Sequence, residues 1–423
     1  MIRVPFAAFA FMVAAGCGGT SPTQPAVTTF AAVSVGQFHA CGVATSNTAY
    51  CWGYTGSGEL GNGTTSGPEQ CAGSSCSTRP VAVAGGLRFT VVSAGGRFTC
   101  GVTTAGSAYC WGFNGYGQLG DGTTTDRTSP VVVAGGLRFA TVSAGGGHAC
   151  GVTTAGAAYC WGDNLDGQLG IGSNAGPEAC STVPYPCSTN PVAVLGGLTF
   201  AAVSAGSEHT CGIAMTGASY CWGRNSVGEL GDGSTTGPEH CPLPYGVMQF
   251  DLCSTTPTAV AGGLAFATVG AGTLFTCGVT TSGAAYCWGD NSNGQLGNGG
   301  TAMDSAVVPL PVAGGLRFSL VSAGAGNGFA CGVTTTDAAY CWGYNFAGQL
   351  GNGTDQSSAS PVAVAGGLKF ATLTAGGTGG GLGFACGITT TPAVYCWGTD
   401  DGGQLGNGTS ELKSPVPVPV VTP

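Results

Sequence analysis

A motif built around Trp-Gly recurs seven times and organises most of this chain. Its second copy runs CGVTTAGSAYCWGFNGYGQLGDGT, from Cys100 to Thr123. The shortest step between copies is Trp111 to Trp161 and the longest is Trp222 to Trp288. Repeats of roughly 50 residues or somewhat more are typical of solenoids, propellers and arrays. The motif tryptophans are Trp52, Trp111, Trp161, Trp222, Trp288, Trp342 and Trp397.

Each repeat contains four short segments with strand character. In the second copy, Phe89–Gly95, Phe98–Thr104 and Ser107–Trp111 are followed by a segment near Val131. Alternating, β-branched segments of this length favour strands, and the 81 glycines suit turns better than helices. Four strands in about 50 residues form the pattern of a propeller blade. The sequence therefore predicts an all-β fold, a seven-bladed β-propeller of four-stranded antiparallel blades over residues 30–423.

The predicted units differ mainly in their spacers. Units 1, 3 and 4 carry longer spacers, in which Gly-Pro-Glu precedes a cysteine pair. We expect these spacers to form disulfide-closed surface loops. The units span about 30–87, 88–138, 139–198, 199–264, 265–316, 317–368 and 369–423.

A hairpin within each unit places two cysteines opposite each other. In unit 2 a three-residue loop, Thr104-Ala105-Gly106, separates strands that carry Cys100 and Cys110. The third position of such a loop favours a left-handed residue. Pro392 occupies that position in unit 7 and cannot adopt the conformation, so the last hairpin should turn differently. The other six units have Asn47, Gly106, Gly156, Gly217, Gly283 and Asp337 there.

The 21 cysteines divide into ten local pairs and Cys17. Zinc binding is the alternative, but no CxxC pair occurs and there are only four histidines. We therefore predict ten disulfides and an oxidising compartment. Each eleven-residue ring should contribute about 2–3 kcal/mol. The predicted pairs are Cys41 with Cys51, Cys71 with Cys76, Cys100 with Cys110, Cys150 with Cys160, Cys180 with Cys187, Cys211 with Cys221, Cys241 with Cys253, Cys277 with Cys287, Cys331 with Cys341 and Cys386 with Cys396.

The N-terminal segment explains the odd cysteine. Arg3 is followed by an apolar run from Val4 to Ala15, and then by Gly16 and Cys17. This run is too short to span a bilayer and is typical of a signal peptide. The sequence resembles a bacterial lipoprotein signal over 1–16, in which Cys17 is lipidated, although Ala14 stands where leucine is usual. A plain secretory signal is the alternative. Residues 17–29 are then a flexible tether.

The charge pattern excludes one class of partner. The formal net charge is -9, only 7% of residues are charged, and no basic stripe occurs. A nucleic-acid-binding protein normally carries a basic patch, so we expect no nucleic-acid partner. We expect the membrane to be contacted only through the lipid anchor, and the protein to be a monomer without cofactor or metal.

The repeat resembles that of the regulator of chromosome condensation family, whose units run VxxGxxHxxALTxxGxVYxWGxNxxGQLGxG. Unit 4 matches this pattern at Val203 to His209, at Tyr220 to Asn225 and at Gly228 to Gly231. The resemblance covers essentially all of 30–423 and implies a seven-bladed propeller of four-stranded blades. Three features depart from the family: cysteine fills two variable positions, Gly-Val or Gly-Ile replaces Ala-Leu, and the histidine is phenylalanine in four units.

The recurrent histidines and tryptophans favour structural roles. The family histidine is present at His39, His148 and His209. Phenylalanine fills its volume at the equivalent positions of the other units but cannot move a proton or bind a metal, so packing is the better interpretation. The tryptophans should pack between blades; a sugar-stacking role would need exposed rings. The replacing phenylalanines are Phe98, Phe275, Phe329 and Phe384.

The acidic turns resemble the beginning of a calcium loop without completing one. Asp163 to Gly167 and Asp290 to Gly294 have suitable spacing, but Gln168 and Gln295 follow where further carboxylate ligands would be needed. In the family, the Asn and Gln of this turn satisfy backbone groups. No Ser/His/Asp set, Cys/His set or phosphate loop stands out either, so we expect no catalytic residues and no enzyme.

These features favour a non-catalytic, protein-binding propeller that is exported and lipid-anchored at the bacterial envelope or surface. The partner would be an extracellular or envelope protein. Some family members are exchange factors for a nuclear GTPase, a role that export and disulfides contradict. A bacterial member binds an extracellular β-lactamase through its loops, so an enzyme inhibitor is one alternative. A glycan or cell-wall binding module is another, and free secretion is the alternative location.

The turn after each Trp-Gly varies within a nearly constant frame, NxxGQLG, which is where a propeller can vary recognition. Units 3, 4, 5 and 7 offer mainly Asp163, Leu165, Asp166, Arg224, Asp290 and Asp401 there. Units 6, 1 and 2 have aromatic residues, which would lie on one arc of one face if the ring closes. Packing against neighbouring turns is the alternative. The candidate binding residues are Tyr54, Phe113, Tyr116, Tyr344 and Phe346.

Overall fold

The computed structural model describes residues 28–180, 185–235, 239–242, 250–300, 305–324, 326, 328–378 and 381–423. The expected signal peptide, Cys17 and the tether as far as residue 27 lie outside these residues. Within them the helical segments are two 3-10 turns, Ala134–Gly136 and Ala365–Gly367. No helix in these ranges is long and apolar enough to cross a bilayer.

Seven antiparallel sheets confirm the predicted propeller, and each is built from one consecutive stretch of chain. The first, innermost strands are Phe30–Val35, Phe89–Ala94, Phe139–Ala144, Phe200–Ala205, Phe266–Ala271, Phe318–Ala323 and Phe370–Gly377. The second strands are His39–Ala44, Phe98–Thr103, His148–Thr153, His209–Ala214, Phe275–Thr280, Phe329–Thr334 and Gly383–Thr389. The third strands are Ala49–Tyr54, Ala108–Gly112, Ala158–Asp163, Ser219–Arg224, Ala285–Gly289, Ala339–Gly343 and Val394–Thr399. The fourth strands are Ser74–Ala82, Arg127–Val132, Tyr185–Ala193, Phe250–Ala259, Ala306–Pro311, Ser358–Ala363 and Lys413–Pro419.

The spacers of units 1, 3 and 4 add a fifth strand to their blades rather than forming plain loops. In unit 1 the Gly-Pro-Glu frame has a physical reason. A Cβ on Gly67 would lie 1.9 Å from the carbonyl oxygen of Cys76, so only glycine fits. The Glu69 carboxylate then accepts a hydrogen bond from the Thr78 amide at 2.8 Å. The added strands are Glu69–Cys71, Glu178–Cys180 and Glu239–Pro242.

The seven predicted hairpin disulfides are all present. In each, the two cysteines face each other across the second and third strands, as Cys100 and Cys110 do with a Cα–Cα distance of 4.1 Å. Six of the hairpin loops have a left-handed residue at their third position, and the Pro392 loop lacks one, as predicted. The pairs are Cys41 with Cys51, Cys100 with Cys110, Cys150 with Cys160, Cys211 with Cys221, Cys277 with Cys287, Cys331 with Cys341 and Cys386 with Cys396.

The three predicted spacer disulfides are present as well, so all twenty cysteines of the described ranges are paired as expected. Each spacer disulfide links the added fifth strand to the fourth strand of the same blade. The structure therefore contains ten disulfides, which indicate an oxidising compartment. The spacer pairs are Cys71 with Cys76, Cys180 with Cys187 and Cys241 with Cys253.

The ring closes without sharing a strand between the first and last blades. A cavity of about 70 Å³ on the axis is lined by the ends of all seven first strands. Blades 7 and 1 join through two hydrogen bonds. The Trp52 indole donates to the carbonyl of Gln404 at 2.9 Å, and the Gly408 amide donates to the carbonyl of Thr78 at 2.9 Å. Because the same pair of bonds recurs at the other junctions, closure uses the ordinary contacts between blades.

The tryptophans are the central element of every junction. All seven are fully buried, and each indole N–H donates to the Gln or Glu carbonyl of the preceding unit's QLG or ELG turn at 2.9 Å. The glycine of that turn contacts the ring face. Gly120 has a φ of 65°, and a Cβ there would lie 2.8 Å from Trp161. The recurring QLG sequence is therefore a socket for the tryptophan of the next blade.

Candidate functional site

The strand order places all variable turns on one side of the ring. Turns between first and second strands lie beside the loops between third and fourth strands, because the strands alternate in direction. Backbone hydrogen bonds join the two sets, for example from the Tyr54 amide to the Phe38 carbonyl at 3.1 Å and from the Phe113 amide to the Arg97 carbonyl at 2.9 Å. We call this side the upper face.

Unit 6 contributes the most exposed aromatic residue of the predicted set. The Phe346 side chain is 71% exposed, and its ring stacks on Tyr344 with centroids 6.0 Å apart. Lys413 of unit 7 donates to the Phe346 carbonyl at 2.9 Å, which fixes the turn. Leu412, which precedes this lysine, is 80% exposed. The turn therefore displays an apolar surface on a constrained backbone.

Unit 1 contributes Tyr54 to a cavity of about 260 Å³ on the upper face, between blades 7 and 1. The Tyr54 ring lies 5.8 Å from the ring of Phe38. The guanidinium of Arg97, from unit 2, lies over both rings at 5.7 Å and 5.8 Å from their centroids. The opposite wall comes from unit 7 and includes Leu382 and Asp401.

Unit 2 places Phe113 and Tyr116 in a more enclosed position. Their rings meet edge to face with centroids 5.8 Å apart. The Tyr116 ring also packs on Tyr185, in the hairpin of unit 3, with centroids 4.9 Å apart. Both side chains are half-buried. Tyr116 therefore packs against a neighbouring turn, which was the alternative to a binding role. Phe346 is exposed and does not fit that alternative.

Apolar residues of four consecutive units lie on the upper face, and we call this set the upper arc. Unit 7 contributes Leu382, which is 39% exposed. The carbonyl of the preceding residue, Gly381, accepts a hydrogen bond from the Gln349 side chain of unit 6 at 3.0 Å. The sequence analysis identified five members and missed two. The upper arc comprises Tyr344, Phe346, Leu382, Phe38, Tyr54, Phe113 and Tyr116.

The turns of units 3 and 4 carry charged side chains on the upper face. Arg224 forms an ion pair with Glu208, and the buried Asp163 accepts a hydrogen bond from the Leu165 amide at 2.9 Å. Burial raises the pKa of Asp163 to about 7, partly opposed by this hydrogen bond. These charged groups are therefore paired within the protein.

The acidic turns act as turn-forming acceptors. Asp290 accepts hydrogen bonds from the Ser292 amide at 3.1 Å and from the Gln295 side chain at 2.6 Å. Asn291 and Gln295 accept from the backbone amides of Leu296 and Asn293, as the family pattern implies. In the described ranges no three His, Cys, Asp or Glu side chains are grouped to hold a metal ion.

The family histidines are buried hydrogen-bonding groups. His148 Nε2 lies 2.8 Å from the Thr210 hydroxyl, which itself donates to the carbonyl of Gln168 at 2.9 Å. The imidazole is therefore the donor to Thr210 through Nε2. His39 and His209 make the same contact with Thr99 and Thr276. Burial lowers the pKa of all three to about 3, so they are neutral at physiological pH.

A pairing rule accompanies these contacts, and the sequence analysis missed it. The rule concerns the residue that directly follows the family histidine or its replacing phenylalanine. When a unit has histidine, this following residue is threonine in the next unit. When a unit has phenylalanine, it is alanine in the next unit. The rule holds at all seven junctions, including that of unit 7 with unit 1. The pairs are His39 with Thr99, Phe98 with Ala149, His148 with Thr210, His209 with Thr276, Phe275 with Ala330, Phe329 with Ala385 and Phe384 with Ala40.

Comparison with protein families agrees with this architecture. The profile described as the regulator of chromosome condensation (RCC1) repeat matches residues 105–152, 155–213, 282–333 and 337–379. A second profile of the same repeat matches 30–59, 83–118, 139–168, 200–229, 266–295 and 320–349. Together these matches cover more than half of the chain.

The chain belongs to the RCC1 repeat family. Propellers of this family typically have protein-binding or regulatory roles. The RCC1-repeat chain is 29% identical over 229 residues to the ultraviolet-B receptor UVR8 of Arabidopsis thaliana, which covers 53% of this chain and 47% of the receptor. It is 29% identical over 206 residues to the E3 ubiquitin-protein ligase HERC2 of Homo sapiens, which covers 48% of this chain and 4% of the ligase. The chain thus spans about half of one relative and a small part of the other.

Solved structures share the fold of this RCC1-repeat propeller. Human WBSCR16 aligns with a TM-score of 0.71 at 20% identity, over 89% of this chain and 94% of that one. Prp20p of Saccharomyces cerevisiae, whose binding to Gsp1p and histones is described, aligns with a TM-score of 0.68 at 17% identity, over 93% and 87%. At these identities the similarity concerns the fold.

Proposed function

We propose that this RCC1-repeat propeller is a non-catalytic protein-binding module that works outside the cytosol and engages its partner through the upper arc. The observation that carries the proposal is the clustering of half-buried aromatic rings there around two exposed apolar side chains, Phe346 at 71% exposure and Leu382 at 39%. Aromatic residues at the centre of an interface supply much of its energy. An inhibitor of an extracellular enzyme would use the same surface, and so remains one form of this proposal.

Glycan binding is the weaker candidate. A sugar-stacking platform needs open ring faces, but the seven tryptophans are fully buried. The upper-arc rings of unit 1 are covered by the Arg97 guanidinium, and that of Tyr116 by Tyr185. Phe346 is then the one clearly exposed ring of the upper arc, and a single exposed ring makes a poor platform for a sugar.

A photo-crosslinking amino acid at position 346 tests the proposal in cells that produce the full chain. We expect a discrete protein adduct there, because Phe346 lies on the upper arc. The matched control is position 215, since Met215 is 68% exposed but lies in a turn between second and third strands on the opposite face. Equal adducts at both positions, or adducts to glycan alone from position 346, would contradict the proposal.

Envelope display through a lipid on Cys17 is the second part of the proposal. The supporting observation is the apolar run from Val4 to Ala15 immediately before Gly16 and Cys17. We expect the mature protein to sediment with membranes and carry a lipid mass, and Cys17→Ala to release it or block its processing. Cell fractionation with intact-mass measurement checks this. A soluble wild-type protein in the medium without lipid would show free secretion instead.

A further inference from the structure

We propose that the cavity between blades 7 and 1 binds an acidic side chain of the partner protein, through Arg97. The inference rests on the proposed function and names the chemistry that the upper arc would recognise. The cavity has a volume of about 260 Å³ and opens on the upper face. Its walls are Phe38, Tyr54 and Arg97 on one side and Leu382, Asp401 and Gln404 on the other.

Arg97 is an unusual cation within this chain. The described ranges contain nine lysine and arginine residues, and seven of them donate a side-chain hydrogen bond to the protein. In those ranges Arg97 and Arg79 have no such partner, and Arg97 alone of the two lines the cavity. The N–H groups of Arg97 are therefore available to a ligand, while the rings of Phe38 and Tyr54 hold its position.

Glu59 is an acidic group close enough to interact with Arg97, and it offsets the charge of the arginine only in part. Its side chain is fully buried and accepts a hydrogen bond from the Ser57 amide at 2.8 Å. Burial raises the pKa of Glu59 to about 7, so it is only partly ionised at neutral pH. Arg97 consequently presents a net positive group at the cavity wall.

A guanidinium with free N–H groups fits a carboxylate, which it binds through two parallel hydrogen bonds. The size of the cavity favours one side chain of a larger partner, because pockets for whole drug-sized ligands have about 300–1,000 Å³. Ring stacking with a sugar is disfavoured, since Arg97 itself lies over the ring of Phe38 and over the ring of Tyr54.

The opposite wall favours a peptide over a simple anion. Asp401 accepts a hydrogen bond from Gln404 at 2.9 Å and keeps further acceptor capacity. Any anion bound at Arg97 meets the like charge of Asp401. A peptide offsets this repulsion with backbone N–H donors beside its carboxylate, whereas a phosphate dianion brings a larger like charge. An acidic residue in an extended segment satisfies both walls.

The test uses the full chain with isotope-labelled arginine and the capped peptide acetyl-Gly-Glu-Gly-amide. We expect saturable shifts of the Arg97 Nε resonance, at least tenfold weaker binding of the matched glutamine peptide, and loss of binding in Arg97→Gln. The control is Arg79→Gln, because Arg79 also lacks a hydrogen-bonded partner in the described ranges but lies on the fourth strand of blade 1, beside Gly408 and outside the cavity lining. Thermal unfolding confirms that both variants are folded.

Three results would overturn the inference: no saturable shift with the glutamate peptide, tighter binding of glucuronate, or shifts with inorganic phosphate alone. Measuring the partner affinity of two variants distinguishes a failure of this inference from a failure of the proposed function. If the double variant Tyr344→Ala with Phe346→Ala loses the partner while Arg97→Gln keeps full affinity, the cavity inference is wrong and the upper arc stands. If neither variant changes partner affinity, both are wrong.

Discussion

Replacing Trp161 by alanine is expected to lower the free energy of unfolding by about 3–5 kcal/mol, the range found for removing a buried large aromatic residue. Trp161 has no exposed surface, packs on Phe139 with ring centroids 5.8 Å apart, and donates to the Gln118 carbonyl at 2.9 Å. Alanine would leave a cavity between blades 2 and 3 and remove the indole donor of that junction. Urea denaturation measures the loss.

Trp161→Phe is the matched control for this substitution. It keeps most of the ring volume and removes the indole N–H, so we expect a loss of about 1–2 kcal/mol from the unpaired Gln118 carbonyl and the smaller ring. A loss below about 1 kcal/mol for Trp161→Ala would show that the tryptophan is not the main contact between blades.

The double substitution of His148→Phe with Thr210→Ala should make the protein less sensitive to acid. It converts the junction of blades 3 and 4 into the Phe and Ala type that four other junctions already use. The Gln168 carbonyl loses the hydrogen bond from Thr210 but keeps the one from the Trp222 indole at 2.9 Å, so this carbonyl still has a donor. At pH 7 we expect a stability within about 1 kcal/mol of wild type, because volume is roughly preserved.

The pH effect follows from the lowered pKa of His148, about 3 in the folded protein against an ordinary value of 6.5. The unfolded chain therefore binds a proton that the folded protein excludes, and wild type loses stability as pH falls below 6.5. The loss relative to the variant is about 1.4 kcal/mol per pH unit, or about 3 kcal/mol at pH 4. Buried acids with raised pKa act in the opposite direction but are present in both proteins. Equal acid sensitivity in urea denaturation at pH 7 and pH 4 would contradict this.

Repeat-level features were predictable because each was sampled seven times in one chain. A three-residue loop fixes the register of a hairpin, so the pairing of Cys100 with Cys110 followed from spacing alone. The exception at Pro392 was equally clear, since proline cannot adopt a positive φ. The fifth strands were not predicted, because their pairing depends on how Glu69 and Gly67 meet the neighbouring strand.

Features that join different units were harder to predict. The pairing of His148 with Thr210 links residues in adjacent repeats, and comparing equivalent positions between consecutive units would have found it. Phe38 and Arg97 were missed because only the turn after each Trp-Gly was compared between units, and these two residues lie in the turn after the first strand. The turn after each first strand also varies, but only the fold shows that the two turns are neighbours.

The affinity of the double variant Tyr344→Ala with Phe346→Ala for the protein cross-linked from position 346 tests the central claim most directly. Both rings lie on the upper arc, and the hydrogen bond that fixes their turn uses the backbone carbonyl of Phe346, which the substitution keeps. We expect the double variant to unfold thermally near wild type but to bind about 30- to 1,000-fold more weakly, equivalent to 2–4 kcal/mol. Met215→Ala, on the opposite face, should bind like wild type. Unchanged affinity of a folded double variant would contradict the claim that the upper arc is the binding surface.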